Sequence, residues 1–245
     1  MGGQFNCPDG TAGGDNFFCF LPNPNLKPEV GKNKEAGLNL KYDNIFGAND
    51  SFRGKFNVYR SDLEDYIEIT AFGTQIAGLY PFYQYQNIQK AHIQGFEAET
   101  MYDAGAWFTG MSGSIIRGYN DVTNVGLASI PGDKITTTGG VRSADRKATI
   151  GATVVVVKEN MNVPTTYRPS TAYELVNLFF NYQPVEDVVL GFGVDNLLNR
   201  YYRPYAIPTT QGSDPGATQN DVLWTSPPPG LVLKGSLRVH FAHMK

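Results

Sequence analysis

The chain is poor in the residues that most often build reactive centres. Its 245 residues include three histidines, two cysteines and two tryptophans. The histidines are His92, His240 and His243, and no two of them have the spacing of a metal site. No Ser/His/Asp order with supporting context is present, and no glycine-rich phosphate loop, so nothing indicates an enzyme. No run of about 18 apolar residues occurs, which excludes a membrane-spanning helix. No segment shows a convincing period of three to four residues. The start, "MGGQFNCPDG", lacks the basic end and apolar stretch of a signal peptide. A net charge of −3 and a pI near 5.6 argue against a nucleic-acid partner. Cys7 and Cys19 both lie in a Gly/Asn/Asp-rich stretch, readable as a local disulfide of an oxidising compartment or as two free thiols.

What the chain does have is aromatics, glycine and alternation. It carries 14 Tyr, 15 Phe and 27 Gly. Along "LVLKGSLRVHF" (231–241), Leu231, Leu233, Leu237, Val239 and Phe241 share one parity, and Lys234, Ser236, Arg238 and His240 the other. Period two marks a β-strand with one apolar and one wet face. Eleven residues is long for a soluble strand and matches the 9–11 residues that cross a bilayer at a tilt. The same alternation recurs at 35–42, 52–60, 147–157 and 188–195. A mean hydropathy of −0.28 fits either a soluble sandwich or a membrane barrel, whose lumen and loops are polar.

The connections separate these readings. Nine strands are predicted: 35–42, 51–60, 91–102, 106–118, 134–142, 147–157, 172–182, 188–198 and 231–241. Short turns ("DNIFGAND", "DAG", "SADR", "QPVED") alternate with long connections at 61–90, 119–133, 158–171 and 199–230. Outer-membrane barrels keep short periplasmic turns at one end and long extracellular loops at the other, whereas a sandwich has no reason to. The expected fold is therefore all-β, an antiparallel transmembrane β-barrel portion. Nine is odd, while single-chain bacterial barrels have even counts, so strands are expected to precede this segment.

Four boxes then carry a resemblance: "LPNPNLKPEVGKNKEAGL" (21–38), "YRSDLEDYI" (59–67), "YQNIQKAHIQGFEAE" (85–99) and "VDNLLNRYYRPY" (194–205). They resemble the C-terminal barrel of TonB-dependent outer-membrane receptors. "IPGDKITTTGGVRSADRKATIGATVVVV" (130–157) is similar to the haem/haemoglobin branch, haemophore receptors included. The resemblance implies a 22-stranded barrel of which these nine strands are the last. Residues 1–34 would be an extracellular loop segment, 35–241 the barrel part and 242–245 a tail. The plug and TonB box of such receptors are absent here, as is the "FRAP"-like partner of the "NPNL" box.

The implied function is import of haem, from haemoglobin or a haemophore, across the bacterial outer membrane. Haem would be the transported ligand, with no covalently bound cofactor. Partners would be membrane lipid, haem or a haem-carrier protein, the TonB complex through the absent N-terminal region, and the barrel assembly machinery. A ferric-siderophore receptor and a passive porin are the alternatives.

Candidate ligand contacts in external loops are Asn23, Pro24, Asn25 and Leu26 of the "NPNL" box, with Tyr80, Phe82, Tyr83 and Tyr205. Aromatics suit a planar apolar ligand or a carrier surface, and equally an interfacial girdle, which fits Tyr85, Tyr201 and Tyr202. The two prolines of the box could instead set a loop stem. His92, read at a strand start, is a weak haem-iron candidate beside a plain polar role at the rim. Phe241 is the expected aromatic assembly signal.

Overall fold

A computed structural model describes residues 19–72, 82–127, 129–164, 171–202 and 229–241. Its strands are β1 (Cys19–Leu21), β2 (Val30–Asp43), β3 (Ser51–Phe72), β4 (Phe82–Asp103), β5 (Trp107–Asn120), β6 (Val125–Gly126), β7 (Lys134–Arg142), β8 (Ala148–Val157), β9 (Tyr173–Val185), β10 (Val188–Asp195) and β11 (Val232–Val239). One sheet runs β2-β3-β4-β5-β7-β8-β9-β10-β11. Every pair along that path is antiparallel. The short β1 adds to β4 in parallel, and β6 adds to β5. Among the described residues no helix is long and apolar enough to cross a membrane. The span is made by strands.

Register sorts the two faces. The row Leu38–Phe56–Ala98–Gly113–Ile135 runs across five strands, and Ile150–Phe180–Phe192 continues the same face beyond them. These apolar side chains are exposed rather than cored: Leu38 is 55% accessible and Leu233 on β11 is 75%. Only lipid gives such a belt a favourable environment. The opposite parity carries Asn39, Lys55, Glu97, Ser112, Thr136, Thr153, Asn181 and Lys234. That face is the wet inner wall. Tyr42, Phe52, Tyr102 and Trp107 border the belt near the short turns. Tyr102 lies 5.9 Å from Phe46 and 5.3 Å from Trp107 between ring centroids. Such a girdle marks a membrane interface.

On the inner wall, rings lie over glycines of the neighbouring strand. Tyr59 covers Gly95, Phe108 covers Gly140 and Phe179 covers Gly151. A glycine in a strand is normally a weakness. Here each leaves room for a ring to lie flat across the strand pair, an aromatic rescue of the kind that pins register. Arg142 stacks on the Phe108 ring at 4.6 Å and bonds Asp103 through both carboxylate oxygens at 2.7 and 2.8 Å. Arg142 Nη1 also donates to the Gly105 carbonyl, so one guanidinium ties the end of β7 to the end of β4 across β5 and to the turn between β4 and β5.

The largest departure from the sequence reading is at 61–90. It was expected to be a long loop, and most of it is strand. β3 and β4 each run 22 residues, about 70 Å of chain, so their hairpin rises far beyond the bilayer. The other differences are small: β2 begins at Val30 rather than 35, and β11 ends at Val239.

Candidate functional site

The outer end of the β3–β4 hairpin is built from three pieces. In the first, alternation inverts midway. Asp65 has φ +52°, and beyond it Tyr66 and Ile88 join the same cluster as Leu63 and Ala91. The second is the β5–β7 connection, whose Leu127 and Ile130 close over Gly118. Ala91 and Leu127 are each 1% exposed, and Tyr66 Oη meets Ser129 Oγ at 2.8 Å. Burial pushes the Tyr66 phenol up, and its hydrogen bond to Ser129 works the other way. This small core holds the hairpin upright above the membrane.

The third piece is the "NPNL" strap, which crosses the hairpin from the β1 edge of β4 to the β2 edge of β3. Asn23 Oδ1 accepts from the Asn25 amide at 3.0 Å, folding the turn over Pro24 and Asn25. Asn23 Nδ2 donates to the Tyr85 carbonyl at 2.9 Å, and Gln84 donates to the Pro22 carbonyl. Asn87 is the centre pin: it accepts from the Lys27 amide and donates to the Lys27 and Asp65 carbonyls. Glu29 accepts from the Ile67 amide. Pro24 and Asn25 are exposed, while Asn23 and Leu26 are half-buried.

Asn87 was not singled out from the sequence, yet it fastens the strap through two bonds to Lys27 and is itself braced on the Asp65 carbonyl of β3. Asn87→Ala is expected to free residues 22–29 and leave the barrel intact. Limited digestion of intact cells with a protease that cuts after Leu should then cleave at Leu26 at least tenfold faster, with unchanged heat-modifiable mobility of the protein. Equal cleavage rates would show that the strap is held by other means.

The remaining candidates scatter. Phe82 and Tyr83 begin β4 in register with Phe72 and Ala71, whereas Tyr80 and Tyr205 lie outside the described residues. Cys19 opens β1, and Cys7 lies outside. Tyr85 is no girdle residue: it stands eleven residues outward of Phe96, about 35 Å along the strand. Tyr202 packs on Tyr173, ring centroids 4.9 Å apart. His92 sits inside β4 rather than at a strand start, on the parity of the lipid belt and above it. Its Nδ1 meets Asp121 Oδ1 at 2.5 Å, and its ring lies 5.5 Å from Tyr119. Among the described residues no three His, Cys, Asp or Glu side chains gather as a metal site. Phe241 follows β11 and is 88% exposed.

Deeper in, the inner wall forms a shallow concavity of about 420 Å³. Lys55 and Lys134 face Glu97 and Glu99 there, with Asn57, Ser112, Ser114 and Thr136 between them. The four charges balance and stay hydrated. Asn57 Oδ1 is buried without a partner. Such a wall suits contact with water or polar protein surface rather than an apolar ligand.

A lipid-facing belt, a polar inner wall, short turns at one end and a tall hairpin at the other define an integral outer-membrane β-barrel protein. Residues 3–197 match the family model "TonB dependent receptor-like, beta-barrel", and the chain belongs to that family of outer-membrane transport receptors. It is 29% identical over 212 residues to Heme/hemopexin utilization protein C of Haemophilus influenzae, covering 79% of this chain and 29% of that protein. It is also 29% identical over 204 residues to a Hemin receptor of Yersinia enterocolitica, covering 77% and 29%. The chain thus spans under a third of the length of these relatives. In fold it resembles the Serratia marcescens hemophore receptor HasR, solved with HasA and heme, at a TM-score of 0.63 and 18% identity, covering 97% of this chain and 34% of that one. A copper transporter and a ferric enterobactin receptor share the same fold.

Proposed function

We propose that this chain is the C-terminal barrel segment of a TonB-dependent receptor that imports haem. The observation that carries this reading is alignment across three quarters of the chain with relatives named for heme and hemin. The fold alone does not choose the cargo, because copper and siderophore receptors share it. The segment's part is to raise the hairpin and strap as an external capture surface and to supply polar wall. The exposed Pro24–Asn25 turn and the aromatic start of β4 are the surface offered to haem or a haem-carrier protein. His92 engages Asp121, so a role in holding haem iron would fall to its other ring nitrogen.

Free edges support a larger barrel. Among the described residues β2 and β11 have strand neighbours on one side only. Unpaired backbone groups in hydrocarbon cost several kcal/mol each. Further strands of a 22-stranded barrel would satisfy both edges, with a plug against the Lys55/Glu97 wall and TonB energising release. Phe241 would be read by the assembly machinery.

The test is haem uptake by cells producing the complete protein. Expected are a Soret band in their outer membranes after haem addition and haem-dependent growth that needs TonB. Growth on a ferric siderophore without haem binding would replace this reading with the siderophore alternative. Uptake without TonB would replace it with the porin.

A further inference from the structure

Two register rows cross the inner wall from β3 to β9, and their chemistry changes on the way. One is Lys55–Glu99–Ser112–Thr136–Val155–Leu175. The next row outward is Asn57–Glu97–Ser114–Lys134–Val157–Tyr173. Both begin polar and charged on β3 and β4 and end apolar on β8 and β9. Val157 is buried, and Val155, Leu175 and Tyr173 are half-buried. Tyr202 packs its ring on Tyr173 and so extends the apolar end. The other face of β9 sets the height of this end. Val176 and Leu178 share the parity of the lipid belt, and Glu174, two residues further out, ends it. Leu175 and Tyr173 therefore stand at the outer mouth of the wall. Lys134 borders them, in register with Val157 and Tyr173. Its ammonium makes no ion pair among the described residues.

We propose that the β8–β9 end of the inner wall is a contact site for the apolar plane of a tetrapyrrole, with Lys134 taking a carboxylate at its edge. This deepens the haem reading and rests on it. Aliphatic side chains set against water cost free energy, and the rest of the wall avoids them. Val155 and Leu175 stand side by side on adjacent strands, with the Tyr173–Tyr202 ring pair beside them. Together they offer a flat apolar surface to a planar ligand. A tetrapyrrole dicarboxylate is amphiphilic: its ring system seeks apolar contact, and its carboxylates seek water or a cation. The wall supplies both, because Lys134 lies one strand from Val157, about 4.8 Å away across the sheet. No iron ligand belongs to this site. Its contribution is to the ring and the carboxylates, so it holds a porphyrin with or without the metal.

The test uses the complete protein, purified from outer membranes in detergent. It is titrated with haem, with iron-free protoporphyrin and with the dimethyl ester of that porphyrin, and binding is read by absorbance and porphyrin emission. Leu175→Asn keeps the size of the side chain, and Asn177 and Asn181 already stand on the same face of β9, so the variant should assemble. It should weaken haem and porphyrin alike, by about fivefold or more. Lys134→Gln should weaken the two dicarboxylates about threefold and the ester not at all, a split that a merely structural lysine would not give. Lys41→Gln, which removes the same charge from the inner wall of β2, should change none of the three affinities. Should Leu175→Asn fail to assemble, Leu175→Ala carries the same expectation. Unchanged haem affinity in the Leu175 variant, or equal losses for dicarboxylate and ester in Lys134→Gln, would overturn the site and leave the haem reading standing. Failure of the parent to bind haem or porphyrin would overturn the haem reading and this site with it.

Discussion

Gly151→Val is expected to abolish assembly of the protein into a heat-modifiable, protease-resistant form. A Cβ at Gly151 would lie 2.5 Å from the Gly139 carbonyl oxygen and nearer still to the Phe179 ring. The ring could move away. The carbonyl cannot, because it belongs to the β7 backbone, which pairs with β8 on one side and β5 on the other. Overpacking a close-packed site costs about 1–3 kcal/mol where neighbours can yield, and this backbone cannot. Valine adds two methyls to the collision and displaces Phe179 from the strand pair it covers. Gly139→Ala, one strand away, is the matched control. Its Cβ meets nothing nearer than the Phe108 carbonyl at 3.7 Å and points into the lipid belt. That variant should assemble as the parent does. Band-shift electrophoresis of outer membranes, with and without boiling, reads both. Normal assembly of Gly151→Val would show that the β8–β9 register is not held by this joint.

Those joints were invisible in the sequence for a simple reason. Gly151 and Phe179 are 28 positions apart, and Tyr59 and Gly95 are 36 apart. Only register brings a ring onto a glycine, and register is a property of pairs of strands. The strands themselves were legible wherever one face meets lipid and the other water. β7 (Lys134–Arg142) has the bounds read for its weaker, Thr- and Gly-rich run, and β8, β9 and β10 begin within a residue of expectation. In β8 and β10, which alternate cleanly, the belt imposes a single apolar parity along the whole strand.

Above the belt that constraint disappears, and the reading failed with it. Residues 61–72 and 82–90 lie outside the belt, and the small cluster around Leu63, Tyr66 and Ile88 is too short to set one apolar parity along the strands. Their alternation also inverts at Asp65, which placed Leu63 and Tyr66 on what a fixed period reads as opposite faces. A strand that changes parity midway looks like a loop. The strap was half legible. "NPNL" stood out as a box, but its fastening to Asn87 crosses 60 positions and rests on one amide side chain in a polar run.

The second large effect is expected at the opposite end of the molecule. The turn between β2 and β3 has two residues at positive φ, Asn44 at +59° and Asn49 at +74°. It is held by one carboxylate. Asp50 accepts from the amides of Ile45 at 2.6 Å, Phe46 at 2.8 Å and Gly47 at 2.9 Å, and from the Tyr102 hydroxyl at 2.8 Å. Burial works to raise the Asp50 carboxyl, and the bonds from Phe46, Tyr102, Ile45 and Gly47 outweigh it, holding the carboxyl below the usual aspartate value. A depressed carboxyl contributes stability that is fully present above the unfolded-state value, near 3.9, and is lost as pH falls through the lower folded value. Asp50→Ala leaves four donors without their acceptor and should cost more than any other single substitution in the short turns. Its denaturation midpoint in detergent should fall well below that of the parent at pH 7. The gap should narrow as the medium is taken below pH 4, because protonation removes from the parent what the mutation has already removed. Asp50→Asn is the graded case. Its side-chain carbonyl can still accept, but its NH2 replaces the second oxygen, which serves Phe46, Gly47 and Tyr102. Its midpoint should lie between the two and be flat over the same pH range. A pH-independent gap between parent and Asp50→Ala would mean that the turn is held by shape and not by the charge.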